Sequence, residues 1–354
     1  MFWVAAAPSQ KRENASMPAA AAGGRSFRVS VVRLSRGVSR RVPSCPIVSR
    51  RVALRSGKIR MDFHTALPEA DLLALSSLAM AASGLAAAAA LLSGVTAPYG
   101  RYVSNARLAN AYSCGLPHLP ARAAWLLQEC PSFLCAAAFV AARGAPLFTA
   151  RGFLAALFLG HYFNRSFVYP LRIAGGKPTP VGICAMAFLF CLWNGTAQGS
   201  YLTSAAGGAG AEAALLLDRP RVALGALLFF AGLGINLEAD AILRGLRAPG
   251  ETGYKIPRGG AFEWVSGANF FGECLEWTGF ALAAYAKADG LTLPWLVALN
   301  GVPGLQLLLN PAVAFALFTW MNIGPRALQH HESYKSLFGA KYPKDRKALI
   351  PYLL

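Results

Sequence analysis

The residues of this chain best placed to do chemistry are polar groups that recur at helical spacing inside apolar runs. In GANFFGECLEWTGFALAAY, residues 267–285, Asn269, Glu273 and Glu276 stand at i, i+4 and i+7, one face of a helix turning about 100° per residue. GINLEADAILRGLR repeats the pattern with Asn236, Asp240, Arg244 and Arg247, and HYFNRSFVYPLR with Tyr162, Arg165 and Tyr169. A fourth run, ARAAWLLQECPSFL, carries a single acid, Glu129, just before Pro131. An ionised side chain at the centre of a spanning helix costs about 2.5–3.5 kcal/mol, so such residues face a bundle interior or wet cavity and pair with one another. Three stripes and one acid therefore predict one shared polar chamber. The alternative is a structural ion-pair network, with Arg165 or Arg247 neutralising the carboxylates. A set of Arg, Asn, Tyr and carboxylate side chains suits an organic polyanion such as a nucleotide cofactor.

The elements that must position these groups are apolar. The sequence is 55% hydrophobic and 14% charged, against about a quarter charged in soluble domains. Candidate spans run over 70–95, 120–142, 148–171, 181–203, 221–243, 261–286 and 293–322. The class expected is an all-α polytopic membrane protein of about seven transmembrane helices enclosing a chamber. The stretch 287–322 exceeds the roughly 20 residues of one crossing, leaving room for a long loop, a re-entrant piece or an extra helix. SAAGGAGAEAALLLDRPR, 204–221, reads as a connection. The final residues, 323–354, are basic and aromatic and form a cytoplasmic tail by the positive-inside rule.

Of the net charge of +18, +12 lies in residues 1–60, where 13 Lys and Arg face only Glu13. That segment, rich in Arg and Ser, is either an organellar transit peptide or an extension outside the functional unit, which then starts at Met61 and runs to 354. It lacks the interleaved aromatics of a nucleic-acid surface, so no nucleic-acid partner is expected. The seven cysteines contain no CxxC, and no disulfide framework or metal site is read from them. Five scattered histidines, His64, His118, His161, His330 and His331, do not make a di-iron set. GxGxxG after a strand, Walker A, HExxH and a serine elbow are all lacking from the sequence.

Four blocks carry a resemblance to a known family. LPARAAWLLQECPSF, HYFNRSFVYPLR, GINLEADAILRGLRAPGETGYKIPRGGAFEWVSGANFFGECLEWTGFALA and YPKDRKALIPYLL look like the blocks of the steroid 5α-reductases, in the family's order over residues 98–354. The resemblance implies a seven-helix membrane reductase that binds NADPH within the bundle and reduces the 4,5 double bond of a 3-oxo-Δ4-steroid. Animal members act on steroid hormones and plant members on brassinosteroid precursors; this chain resembles both. Hydride adds to an enone carbon only as negative charge moves to the carbonyl oxygen, which must be stabilised. The family's Glu and Tyr for this task match Glu129 and Tyr162. An apolar site favours a protonated carboxyl, which can donate a hydrogen bond. Family cofactor contacts match Arg165, Tyr169, Asn236, Asp240, Arg247, Asn269, Glu273, Arg326, His330 and Tyr334. Glu276 is left between a cofactor role and pairing with an arginine.

Departures from the family pattern accompany the match. PLRIAGGKPTP places Arg172 or Lys177 where the family has an arginine before its glycines, and Gln329 stands where a third histidine is frequent. KADGLTLPWLVALNGVPGLQLLLN, 287–310, widens a gap that is usually short, either as a luminal elaboration or as a disturbance of the last helix. The first reading is an NADPH-dependent 3-oxo-5α-steroid 4-dehydrogenase. Alternatives are a related reductase of a polyprenol or enoyl lipid, or a non-catalytic sterol-binding membrane protein. Expected partners are a sterol and the bilayer, with no obligate protein partner. The expected location is the endoplasmic reticulum membrane, or a plastid or mitochondrial membrane if residues 1–60 act as a transit peptide.

Overall fold

The structure, a computed structural model, describes residues 67–95, 115–144, 149–173, 176–204, 218–247, 251 and 253–354. The extension 1–60, Met61 and most of the 204–221 connection lie outside the described residues. Helices α1 (Glu69–Leu92), α2 (Ala121–Arg143), α5 (Val181–Thr203) and α6 (Arg219–Gly245) are each long and apolar enough to cross a membrane. Between α2 and α5, α3 (Ala150–Phe163) runs through a π-helical turn, Asn164–Val168, into α4 (Tyr169–Arg172). Beyond α6 come α7 (Ala268–Ala284), the short α8 (Pro294–Gly301) and α9 (Pro311–Phe338). The described residues form no strand, only two isolated bridges, and the chain is an all-α polytopic membrane protein.

Starts and stops follow local chemistry. Pro120 and Pro180 precede α2 and α5, and Leu119 and Thr179 exchange both backbone hydrogen bonds at 2.9 Å, tying the two helix starts together. Thr149 caps α3 by accepting from Gly152 N–H. The run 261–286, expected to be one span, divides: Gly260–Glu263 is a 3₁₀ turn and the helix begins only at Ala268. The excess before the last span becomes α8 and a 3₁₀ turn, Leu305–Leu309. Asn310 then caps α9, accepting from Ala312 and Val313 N–H at 3.0 and 3.2 Å. The insertion therefore leaves the last helix intact. No break occurs at 323 either, since α9 continues past Pro325 to Phe338.

Helix pairs pack closely because glycines meet backbone. A Cβ on Gly232 of α6 would stand 2.3 Å from the Glu276 nitrogen of α7, and one on Gly279 of α7 only 2.4 Å from the Phe229 nitrogen of α6. Gly225 and Gly272 repeat the approach on the same two helices. Association inside lipid has no hydrophobic drive of its own, and small residues that admit backbone contact supply the packing instead. Gly195 and Gly199 of α5 do the same against Ser132 and Ala136 of α2. Trp277, Phe158, Phe280 and Phe315 fill the space between α3, α7 and α9 with tilted and edge-on ring contacts.

The tail docks on the loop before α7. Ser266 N–H and Gly267 N–H donate to Lys347 and Ala348 carbonyls at 2.8 and 3.0 Å, and Lys347 N–H donates back to Trp264. The Ser266 hydroxyl lies 2.6 Å from both His331 Nδ1 and the Tyr342 hydroxyl. Burial first, then Lys335, with Arg346 and Lys347 behind and Glu332 opposing, lowers the His331 pKa from its ordinary 6.5.

Gly232→Ala forces α6 from α7, costs about 1–3 kcal/mol of overpacking less the helix propensity gained, and so lowers the melting temperature in detergent. Gly234→Ala, with nothing within 4 Å of its Cβ, does not lower it; equal melting temperatures for the two variants would contradict the packing. For the tail, a depressed folded pKa means that the undocked state binds more protons below about 6.5. Docking is complete above that pH and weakens as pH falls toward the folded value. Hydrogen exchange at Ser266, Gly267 and Lys347, corrected for intrinsic rates, should rise on acidification, and His331→Gln should flatten the dependence.

Candidate functional site

The close approach of α6 to α7 brings two of the polar stripes together. Asn236 Nδ2 donates to the Asn269 carbonyl at 3.0 Å. Asp240 and Glu273, on facing helices, are both 1% exposed and share one cation. Arg165, itself 1% exposed, donates to Asp240 Oδ2 at 3.3 Å and to Glu273 Oε1 at 3.5 Å. Its guanidinium also lies over the rings of Trp125 at 4.9 Å and Tyr169 at 5.1 Å. A guanidinium suits this setting because it is planar, weakly hydrated and stacks on aromatic faces.

The π turn explains how Arg165 and Tyr169 reach the same place. Widening the turn displaces backbone groups from the regular ladder, and Trp125 Nε1–H from α2 donates to the Arg165 carbonyl at 2.9 Å. Trp125 and Tyr169 rings then pack at 4.9 Å between centroids. Arg244 of α6 approaches the Tyr169 ring as well, at 5.6 Å.

Glu129 and Tyr162 meet a common surface on α5. Cys191 Sγ–H approaches Glu129 Oε2 at 3.8 Å, and Asn194 Nδ2 donates to the Tyr162 hydroxyl at 3.0 Å. Cys191 and Asn194 are one turn apart, so the two partners sit beside one stretch of helix. Gln198 Nε2, one turn further, donates to Asn194 Oδ1 at 3.4 Å and to the Pro311 carbonyl at 2.9 Å. Glu129 and Tyr162 are each 2% exposed.

On α9, Arg326, His330 and Tyr334 recur every four residues. Arg326 and Tyr334 are buried, and His330 packs edge-on against Phe270 of α7 at 5.4 Å. Tyr334 stacks on Phe338 and Tyr342.

Other expected residues are placed differently. Helix α6 ends at Gly245, so its polar face stops at Arg244; Arg247 lies in the turn beyond and donates to the Gly253 carbonyl at 3.2 Å. The cation that neutralises the carboxylates is Arg165. Glu276 does not pair with an arginine: its Oε1 lies 2.6 Å from His161 Nδ1, with both side chains buried. Gln329 reaches Leu91 and Val95 carbonyls at 2.9 and 3.2 Å, closing the end of α1. His161, Trp125, Asn194, Gln198 and Asn322 were not singled out from sequence. Asn322 stands four residues before Arg326, and Asn194 and Gln198 four residues apart, so helical spacing would have found them.

Removing the shared cation leaves two buried carboxylates facing each other across α6 and α7. Arg165→Met is expected to cost about 3–5 kcal/mol, the usual penalty for breaking a buried pair. Adding Asp240→Asn and Glu273→Gln should recover part of that loss. Thermal unfolding of the purified variants in detergent checks it, and an unchanged melting temperature for Arg165→Met would contradict the arrangement.

Comparisons with known proteins point to one family. The profile of the family described as 3-oxo-5-alpha-steroid 4-dehydrogenase matches residues 177–297 and 304–354. The chain is 42% identical over 268 residues to 3-oxo-5-alpha-steroid 4-dehydrogenase 1 of Bos taurus, covering 75% of this chain and 90% of the relative. It is 44% identical over 236 residues to 3-oxo-5-alpha-steroid 4-dehydrogenase 2 of Sus scrofa, covering 66% and 82%. Against 3-oxo-5-alpha-steroid 4-dehydrogenase 1 of Homo sapiens the identity is 41% over 237 residues, covering 66% and 81%. At this identity and over this share of each chain, the chain belongs to the steroid 5α-reductase family.

Proposed function

We propose that the chain reduces the 4,5 double bond of a 3-oxo-Δ4-steroid using NADPH, with Glu129 and Tyr162 as the catalytic pair at the C3 carbonyl. The observation that supports this most is the shared α5 surface beside which both side chains lie. On this reading they hydrogen-bond the carbonyl oxygen and stabilise the charge it acquires. Because Asn194 donates to the Tyr162 hydroxyl, the phenolic proton is kept for another acceptor, Ser132 in the free protein and the carbonyl oxygen when substrate is bound. Gln198 holds the Asn194 amide in that orientation. Asn194 is thus a positioning residue for Tyr162.

The residues present also fit the cofactor. Among the described residues, Asn236 Oδ1, Asp240 Oδ1, Glu273 Oε2 and Asn322 Oδ1 are buried acceptors without a hydrogen-bond partner. Buried polar atoms are rarely left so, and these suit the amide and hydroxyl hydrogens of a dinucleotide. Arg326, with Arg244, would meet phosphate oxygens through fixed forks of donors. Asn236, Asp240, Asn269, Glu273, Arg165, Tyr169, His330 and Tyr334 would line the remainder, while Arg247, in its turn beyond α6, would reach only the outer end. NADPH, when bound, supplies the reducing equivalent delivered to C5. The helices around it would exclude water.

The proposed location is the endoplasmic reticulum membrane, supported by the apolar helices together with the family. Plant brassinosteroid precursors and animal steroid hormones are both candidate substrates.

Membranes carrying the full chain, given NADPH and a panel of 3-oxo-Δ4-steroids, should yield products heavier by two hydrogens. Tyr162→Phe and Glu129→Leu should each lower kcat by about 10²–10³, as for loss of one oxyanion donor. Asn194→Leu should lower kcat while leaving NADPH affinity unchanged, a split that a general loss of structure would not give. Folded, NADPH-binding protein that leaves every steroid untouched would refute the assignment.

A further inference from the structure

Residues 290–325 contain no Lys, Arg, His, Asp or Glu, yet α9 begins only at Pro311. The preceding stretch is therefore uncharged without forming part of a long helix. A loop of that length in water would ordinarily carry several charges, since soluble domains average about a quarter charged residues. Its exposed side chains are also apolar. Trp295 is 51% exposed, and Val297, Val302, Leu305 and Leu307 are exposed beside it.

The opposite side of this segment is fastened to α1. Leu296 and Leu309 are buried against Ala74, with Leu75 and Leu78 packed around them. Asp71 of α1 accepts from Thr292 N–H at 3.0 Å, from the Thr292 hydroxyl at 2.5 Å and from Leu293 N–H at 3.4 Å. Helix α1 is long and apolar enough to cross a membrane, and Leu72, Leu85 and Leu92 are exposed along it, as lipid contact would require. The insertion thus covers the Asp71, Ala74 and Leu78 side of this helix and leaves its own apolar side chains exposed next to it.

Backbone bonding inside the segment answers much of the demand that lipid makes, although Asn300 Oδ1 is buried without a partner among the described residues. Polar backbone groups at membrane depth need internal partners. Val297, Val302, Gln306, Leu307 and Asn310 N–H donate to Leu293, Leu299, Val302, Gly304 and Leu307 carbonyls, and Asn300 Nδ2 donates to the Ala288 carbonyl. Tryptophan is enriched where headgroups meet acyl chains, and an apolar-faced short helix lies in that plane.

We propose that residues 290–309 form an interfacial element seated in the phospholipid leaflet at the end of the bundle opposite the basic tail, with Trp295, Val297, Val302, Leu305 and Leu307 in contact with lipid. This rests on the membrane fold and not on the reaction, so the two can fail separately. The test uses the full chain and its Trp295→Phe variant, reconstituted in phosphatidylcholine vesicles with and without lipids brominated near the headgroup end of the acyl chain. The difference in emission between the two proteins isolates Trp295 from the other tryptophans. Several-fold stronger quenching by the brominated lipid than by aqueous iodide, added to both sides, is the expected result. Quenching by iodide with none by brominated lipid would overturn the proposal, placing the segment in water. Protection from both quenchers would also overturn it, assigning the surface to protein, such as a second copy of this chain.

Discussion

A cation held between two carboxylates, in a place water does not reach, is the constraint around which the other contacts are arranged. Arg165 sits between Asp240 and Glu273 with all three side chains buried. Each charge alone would be costly in lipid, and mutual attraction offsets that cost only when geometry and hydrogen bonding are good. The aromatic faces of Trp125 and Tyr169 supply the rest of the arginine's surroundings. Four helical elements, α2, the π turn with α4, α6 and α7, are thereby fixed to a single side chain.

That arrangement depends in turn on how near two backbones can come. Gly225, Gly232, Gly272 and Gly279 let α6 and α7 touch along their length, and Asn236 then reaches the Asn269 carbonyl. Any side chain at these glycines separates the helices and moves the two carboxylates away from the guanidinium. Packing between small residues thus sets the electrostatics, and the electrostatics set which polar atoms remain for a ligand. The α5 surface beside Glu129 and Tyr162 is positioned similarly, by Gly195 and Gly199 against α2.

Much of this was legible because helical spacing survives in the sequence. Asn269, Glu273 and Glu276 share a face as their spacing required, and so do Asn236, Asp240 and Arg244. Arg247 falls outside the pattern because α6 ends at Gly245, a helix-ending residue that periodicity alone passes over. Pairing across helices was not legible at all. Nothing local distinguishes Glu273, which meets an arginine, from Glu276, which meets His161. The π turn was equally hidden, although it lets Arg165 and Tyr169 serve one cluster. The length of 287–310 announced an insertion, whereas its attachment through Asp71 needed three dimensions.

The measurement that tests the central claim most directly follows one atom. NADPH deuterated at the transferred position of its nicotinamide would be supplied to the reconstituted protein with a 3-oxo-Δ4-steroid, and the product examined by mass spectrometry and NMR. The account predicts one deuterium, located at C5 on the α face, with the hydrogen gained at C4 drawn from solvent. Deuterium at C3, as in reduction of the carbonyl, or none in the product would contradict the roles given to Glu129 and Tyr162.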